Sequence, residues 1–174
     1  AICAAGVKGG VERVSKAMML SLLALMGALM FVLKLALASL PNIHVGAVLI
    51  VLAAGFFGWR CMNSIAIYVL LEGLVYGFSI WWISYLYAWP LLVVVTLLFR
   101  DNSSPLFWAV IAGAHGLIFG ALCAVPYFFT GGAHMALTYW INGIPFDLMH
   151  CAGNFFLTLV LFKPLRRLFE SAEC

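Results

Sequence analysis

Long apolar stretches dominate this sequence, and their length limits what the chain can fold into. Charged residues, prolines and polar turns separate six of them, at 17–40, 45–59, 64–80, 84–99, 106–129 and 146–162. A helix needs about 20 apolar residues to cross the hydrocarbon core of a bilayer. The sequence therefore predicts six transmembrane helices joined by short loops, of which the second is short for a full crossing.

The composition excludes a water-soluble fold. Hydrophobic residues make up 66% of the 174 residues and charged residues 9%, against about 45–50% and about 25% in soluble domains. A soluble domain of about 150 residues buries only about 70% of its surface, so it could not hide this much apolar area. Disorder and nucleic-acid binding are excluded with it. We expect an all-α integral membrane protein, with a cytoplasmic lead-in at 1–16, a single compact bundle at 17–164 and a cytoplasmic tail at 165–174.

The lysines and arginines predict the orientation in the cell membrane. Eight of the nine lie before the first stretch or after the second, fourth or sixth: Lys8, Arg13, Lys16, Arg60, Arg100, Lys163, Arg166 and Arg167. With six crossings all eight fall on one side, which the positive-inside rule assigns to the cytoplasm. Both termini are therefore expected in the cytoplasm.

One ionisable residue lies near the middle of the third stretch. Glu72 is four residues from both Tyr68 and Tyr76, so the three share a helical face. Charged groups inside a membrane are costly and are candidates for function by default. Two interpretations remain open for Glu72, a buried ion pair with Lys34 of the first stretch or a place in a ligand site.

A second polar group opens the sixth stretch. Asp147, His150 and Asn154 are spaced to project from one helical face, and Pro145 favours the first helical turn before them. Two interpretations remain open. Either the three residues form a binding wall, or Asp147 is a first-turn residue near water while His150 and Asn154 are an interhelical hydrogen-bonding pair. Asn42 and His44, in the first outer loop, either close over such a wall or belong to an ordinary turn.

Small residues recur along the first stretch. Ala17, Ser21, Ala24 and Ala28 form a stripe, within which Ala24 and Ala28 make an AxxxA pattern. Such faces allow close helix packing in membranes. The stripe predicts contact either with a neighbouring helix of the bundle or with another subunit.

The layout resembles the substrate-binding S component of an energy-coupling factor (ECF) vitamin transporter. The resemblance covers nearly the whole chain, from SLLALMGALM through PNIHVGAVLIVLAAGFFGWR and WISYLYAWPLL to GIPFDLMHCAGNFFLTLVLFKPL. It implies capture of a water-soluble vitamin or precursor from outside, followed by delivery with a transmembrane coupling subunit and two ATPases. The stripe of small residues would contact the coupling subunit.

The resemblance also implies a pocket at the outer ends of the last three helices and the outer loops. The expected substrate-binding residues are Asn42, His44, Glu72, Tyr76, Trp82, Tyr85, Trp89, Tyr127, Asp147, His150 and Asn154. Most of the outer rings are equally typical of an interfacial aromatic belt. The apolar stretches contain two acidic groups, Glu72 and Asp147, and one basic group, Lys34. This balance favours a neutral or cationic heteroaromatic substrate.

Three other functions compete with this hypothesis. The chain has no Walker A loop, so ATP hydrolysis is expected in partner subunits and the chain itself is not expected to be an enzyme. An intramembrane enzyme using Asp147, His150 and Glu72 is the first rival, and a haem-binding carrier is the second. The third is a structural or assembly protein without a ligand. The scattered cysteines argue against a disulfide framework or a zinc site, and no cofactor or metal is expected.

Overall fold

The computed structural model describes residues 16–39, 43 and 45–172, and each regular element among them is a helix. The elements are α1 at Lys16–Ala36, α2 at Gly46–Phe57, α3 at Met62–Tyr76, α4 at Ile80–Leu98 and α5 at Pro105–Ala172. A short 3₁₀ helix, Gly58–Cys61, joins α2 to α3. The all-α prediction is confirmed for this part of the chain.

Four helical segments are long and apolar enough to cross a membrane: Lys16–Ala36, Gly46–Tyr76, Ile80–Leu98 and Pro105–Ser171. They support a multi-pass membrane protein, but with four such segments rather than the six predicted. The difference arises because two predicted connections are themselves helical. Residues 60–63 continue from the second stretch into the third, and the predicted outer loop at 130–145 lies within α5.

Both of the longer segments contain a break in the α-helical backbone. In the first, Gly58, the first residue of the 3₁₀ helix, has a φ of 59°. In the second, Gly131 and Gly132 have non-helical backbone angles, and Gly132 has a φ of 71°. A positive φ is costly for residues with a Cβ, and glycine adopts it freely. We call residues 105–130 the first arm of α5 and residues 133–172 its second arm.

The two arms of α5 pack against each other in opposite directions. The backbone N–H of Gly120 meets the side chain of Asp147, and a Cβ at Gly116 would meet the backbone of His150. A Cβ at Gly113 would meet Phe155 further along the second arm. Residues later in the first arm thus face residues earlier in the second arm. The two arms are antiparallel, and α5 is a helical hairpin.

The core is centred on α2. All residues from Gly46 to Ala54 are buried, and α2 packs against both α4 and α5. A helix that is apolar on every side belongs in the interior. Its 12 residues reach only about 18 Å at about 1.5 Å per residue, in agreement with the short second stretch in the sequence.

Helix α1 lies on the outside of the bundle and runs parallel to α3. A Cβ at Gly27 would overlap the backbone carbonyl of Ser64, and further along both helices Lys34 pairs with Glu72. The other face of α1 carries exposed apolar residues such as Leu25 and Val32. This arrangement leaves one side of α1 without a protein neighbour among the described residues.

The two ends of the bundle differ in charge. Arg100, just before the first arm, and Arg166, near the end of the second arm, line the same small cleft. The bend at Gly131 and Gly132 lies at the opposite end, because it closes the hairpin. The end with the bend holds the larger cleft described next.

Candidate functional site

A cleft of about 780 Å³ opens between α4 and the two arms of α5, near the bend of the hairpin. Pockets for small molecules typically measure about 300–1,000 Å³. The lining residues are Trp81, Tyr85, Phe119, Gly120, Cys123, Tyr127, His134, Met135, Thr138, Tyr139, Asn142, Gly143, Phe146 and Asp147. Six of these residues carry aromatic rings and one carries a carboxylate, so the cleft is apolar with few polar groups.

One wall of the cleft is a single face of the second arm. His134, Thr138 and Asn142 lie four residues apart in the sequence. The residue that follows each of them, such as Tyr139, also lines the cleft. This spacing keeps side chains on one side of a helix. This wall was not predicted from the sequence, because residues 130–145 were expected to form a loop. The spacing of these three polar residues was the signal that could have revealed it.

Asp147 lies at the point where the second arm meets the first. Its side chain is 5% exposed, and its Oδ1 accepts a hydrogen bond of 2.8 Å from the backbone N–H of Gly120. A Cβ at residue 120 would overlap the carboxylate, so only glycine permits this contact. The second oxygen, Oδ2, has no hydrogen-bond partner among the described residues.

Two pairs of aromatic rings flank the cleft. Tyr127 of the first arm stacks on Tyr139 of the second, with ring centroids 4.2 Å apart and planes 19° apart. On the α4 side, Trp81 meets Tyr85 edge to face at 5.2 Å. Tyr87 donates a hydrogen bond from its hydroxyl to the carbonyl of Leu122, which joins α4 to the first arm. Rings held in this way offer flat faces to a ligand.

Glu72 is a partner of Lys34 rather than part of the cleft lining. The carboxylate is fully buried, and its Oε2 lies 2.5 Å from the Lys34 ammonium nitrogen. The ammonium group also lies 5.4 Å from the ring centroids of both Tyr76 and Tyr85. The structure therefore contains the ion pair that the sequence offered as one of two interpretations of Glu72. Tyr85 connects it to the cleft, because its ring also lines the cleft.

His150 and Asn154 lie deeper between the arms, where both are buried. The Asn154 amide donates to the carbonyl of Ala112 at 3.3 Å, and the His150 ring packs edge to face against Phe119 at 4.9 Å. They occupy the same helical face as Asp147, as predicted, but only Asp147 reaches the cleft lining.

Trp82 and Trp89 also lie outside the cleft lining. Trp82 donates from its indole nitrogen to the carbonyl of Val69 at 2.8 Å, which fastens α4 to α3. Trp89 is fully buried and packs against Tyr85 and Phe119. Both tryptophans support the wall of the cleft from behind.

The remaining predicted substrate residues divide into two groups. Tyr76 is about half exposed at the end of α3, beside Lys34 rather than in the cleft. Asn42 and His44 lie outside the described residues. Of the eleven predicted positions, the cleft lining brings together three: Tyr85, Tyr127 and Asp147.

The stripe of small residues lies beside the packed face of α1. Ala17 and Ser21 are exposed, while Ala24 and Ala28 are half-buried. The contact with α3 is made instead by the adjacent face of α1, through residues such as Gly27. The stripe is thus largely available at the surface of the described chain.

No group of three or more histidine, cysteine, aspartate or glutamate side chains that could hold a metal ion occurs among residues 16–39, 43 and 45–172. Comparisons with protein-family models, with curated proteins and with solved structures found no match to this chain.

Proposed function

We propose that this chain is the substrate-capture subunit of an ECF-type importer, which binds a water-soluble vitamin or vitamin precursor. The observation that carries the proposal is the cleft at the bend of α5, where six aromatic rings surround one carboxylate. Flat rings with a few fixed polar groups are typical of sites for heteroaromatic ligands. A neutral or cationic heteroaromatic substrate fits this lining.

The proposal assumes that each broken segment crosses the bilayer twice, so that the chain has six crossings. The antiparallel arms of α5 and the break at Gly58 support this count. Arg60 follows Phe57, whose ring packs against Phe169 near the end of the second arm. Arg60 after α2, Arg100 after α4 and Arg166 near the end of α5 then share one side, which the positive-inside rule places in the cytoplasm. The cleft would face outward, with both termini inside.

Delivery would require partner subunits. In this proposal a transmembrane coupling subunit docks on α1 along the stripe Ala17, Ser21, Ala24 and Ala28, and two ATPase subunits drive the cycle. The exposure of Ala17 and Ser21 supports the docking face, because small side chains allow a second helix to approach closely in a membrane. The exposed apolar residues on the same helix suit a lipid or protein neighbour.

The first test is thermal unfolding of the purified chain in detergent, after a wash that strips bound ligand, with a panel of water-soluble vitamins and precursors. A ligand at about a hundred times its dissociation constant adds about 2.7 kcal/mol to the free energy of unfolding. We expect one compound, or one chemical group of compounds, to raise the midpoint. The shift should become smaller in Tyr139→Ala, which removes a cleft ring, and stay unchanged in Trp59→Ala, which removes an exposed ring outside the cleft.

No shift with any compound would overturn the proposal and favour a structural or assembly protein without a ligand. The partner face is tested separately, by co-purification with a coupling subunit. Ala28→Leu should weaken the complex without changing ligand binding, whereas Leu22→Val, at an exposed position on another face of α1, should leave both unchanged. Equal effects of the two substitutions would overturn the docking face.

A further inference from the structure

Among the described residues, Asp147 is the one acidic side chain that lines the cleft, and only one of its two carboxylate oxygens has a hydrogen-bond partner. The backbone N–H of Gly120 donates to Oδ1 of Asp147, while Oδ2 has no partner among the described residues. The residue is 95% buried, since its exposed fraction is 5%. A buried carboxylate oxygen without a donor costs free energy. Asp147 belongs to the cleft lining, and its Oδ2 is buried beside Gly120. A ligand in the cleft reaches the carboxylate once the side chain rotates by a small angle.

Neither lysine nor arginine is among the described residues that line the cleft with Asp147. Lys34, the only basic residue inside a predicted span, is already paired with Glu72. The cleft lining contains no lysine or arginine, and its one imidazole belongs to His134, which is exposed. Arg100 and Arg166 line a different cleft at the opposite end of the bundle. The local charge of the large cleft is therefore set by Asp147.

The aromatic rings around Asp147 favour a positively charged ligand, as the carboxylate does. Tyr85, Phe119, Tyr127 and Tyr139 all line the cleft, and the face of an aromatic ring attracts a cation. An anion would meet both a carboxylate and the negative faces of these rings. A neutral ligand would leave the carboxylate desolvated without a counter-charge.

We propose that the cleft selects a planar organic cation, whose N–H group donates to the carboxylate of Asp147 while its ring lies against the tyrosines. This inference rests on the proposed function and narrows its substrate class to cationic heteroaromatic or amidine-like compounds. It also assigns charge selection to Asp147 alone. Glu72 contributes to the fold, because its charge is neutralised by Lys34.

The test uses three probes of nearly equal shape and different charge: benzamidine, benzamide and benzoate. Isothermal titration calorimetry of the purified chain at about pH 8, where an ordinary imidazole is neutral, gives the three dissociation constants. We expect benzamidine to bind at least about tenfold more tightly than benzamide, which corresponds to about 1.4 kcal/mol. Benzoate should bind most weakly.

Asp147→Asn is the matched variant, because asparagine keeps an oxygen that can accept from the Gly120 N–H. It should bind benzamidine and benzamide about equally. Glu170→Gln is the control, since it removes an exposed carboxylate at the other end of the bundle. The control should keep the full preference of the unmodified chain.

Two results would overturn the inference. One is that the unmodified chain binds benzamidine and benzamide equally, or binds none of the three probes. This measurement does not depend on the folding of any variant. The other is an unchanged preference for benzamidine in Asp147→Asn. Both results can be distinguished from failure of the proposed function. If a vitamin shifts the unfolding midpoint but the cleft shows no preference for cations, solute capture is supported and charge selection by Asp147 is rejected.

Discussion

The contact between α1 and α3 and the hairpin of α5 each bury one carboxylate, and the two regions treat it differently. Glu72 faces the ammonium group of Lys34. Asp147 receives one backbone N–H from Gly120 and retains an oxygen without a partner among the described residues. Each carboxylate keeps one oxygen without a hydrogen-bond partner among the described residues, Oε1 of Glu72 and Oδ2 of Asp147. The two differ in counter-charge, because Glu72 forms an ion pair with Lys34 whereas neither lysine nor arginine is among the described residues that line the cleft beside Asp147. A buried acidic residue therefore points to a cationic ligand through a missing counter-charge, since an unpaired carboxylate oxygen occurs at both sites.

The largest effect is expected from Lys34→Met, which leaves Glu72 buried without its cation. Breaking one side of a buried ion pair costs about 3–5 kcal/mol. The Lys34 side chain is 25% exposed, so we expect a loss at the lower end of that range. Chemical unfolding in detergent measures it.

The double variant Lys34→Met with Glu72→Gln should regain most of that stability, because neither charge remains. Its affinity for benzamidine should stay within about twofold of the unmodified value, as expected of independent sites. If the double variant lost its preference for the cation as completely as Asp147→Asn does, the distinction between the two carboxylates would be wrong.

The next effect concerns the close approach of the two arms. A Cβ at Gly116 would lie 2.8 Å from the backbone carbonyl of His150. Since backbone atoms cannot move aside as a flexible side chain does, Gly116→Ala should cost about 1–3 kcal/mol. The control is Gly143→Ala, where nothing lies within 4 Å of the added Cβ. That variant should keep or raise the unfolding midpoint, since alanine favours a helix by about 1 kcal/mol over glycine. Equal destabilisation by both would contradict the tight hairpin.

A smaller effect is expected from the stacked tyrosines. Tyr139→Ala removes the ring that stacks on Tyr127 at 4.2 Å, and aromatic pairs contribute about 0.5–1.5 kcal/mol. We expect a loss of that size in the free energy of benzamidine binding, measured by calorimetry. Tyr139→Phe keeps the ring and should bind almost normally. A large loss in the phenylalanine variant would show that the hydroxyl, rather than the ring face, makes the contact.

The smallest effect is expected on the stability of Asp147→Asn without ligand. The amide oxygen still accepts from Gly120, and no ion pair is broken, so the free energy of unfolding should change by less than about 0.5 kcal/mol. Thermal unfolding without ligand tests this. A loss as large as that of Lys34→Met would mean that Asp147 holds the fold together in the same way as Glu72.

Some of the candidate site could be predicted from the sequence. The shared helical face of Asp147, His150 and Asn154 follows from their spacing, and the position of Glu72 made Lys34 its natural partner. The spacing could not show that His150 and Asn154 are covered by the first arm while Asp147 is not. That depends on how far the two arms overlap before the bend at Gly132.

The wall formed by the second arm was not predicted. Residues 130–145 contain two dipeptides typical of loops, Gly131-Gly132 and Asn142-Gly143. The structure places only Gly131 and Gly132 in non-helical conformations. Asn142 and Gly143 continue the helix. Local sequence signals for a turn were the same at both places, and the packing of the arm decided between them.

The sequence by itself determined that the chain is helical and suited to a membrane, because apolar composition and the length of apolar stretches set the solvent in which it can fold. It also determined which ionisable residues lie within or at the start of apolar stretches. Only the tertiary structure decided which of them meet a partner. Pairing depends on the distance between helices far apart in sequence, and in the hairpin of α5 that distance is set by glycines that let two backbones touch.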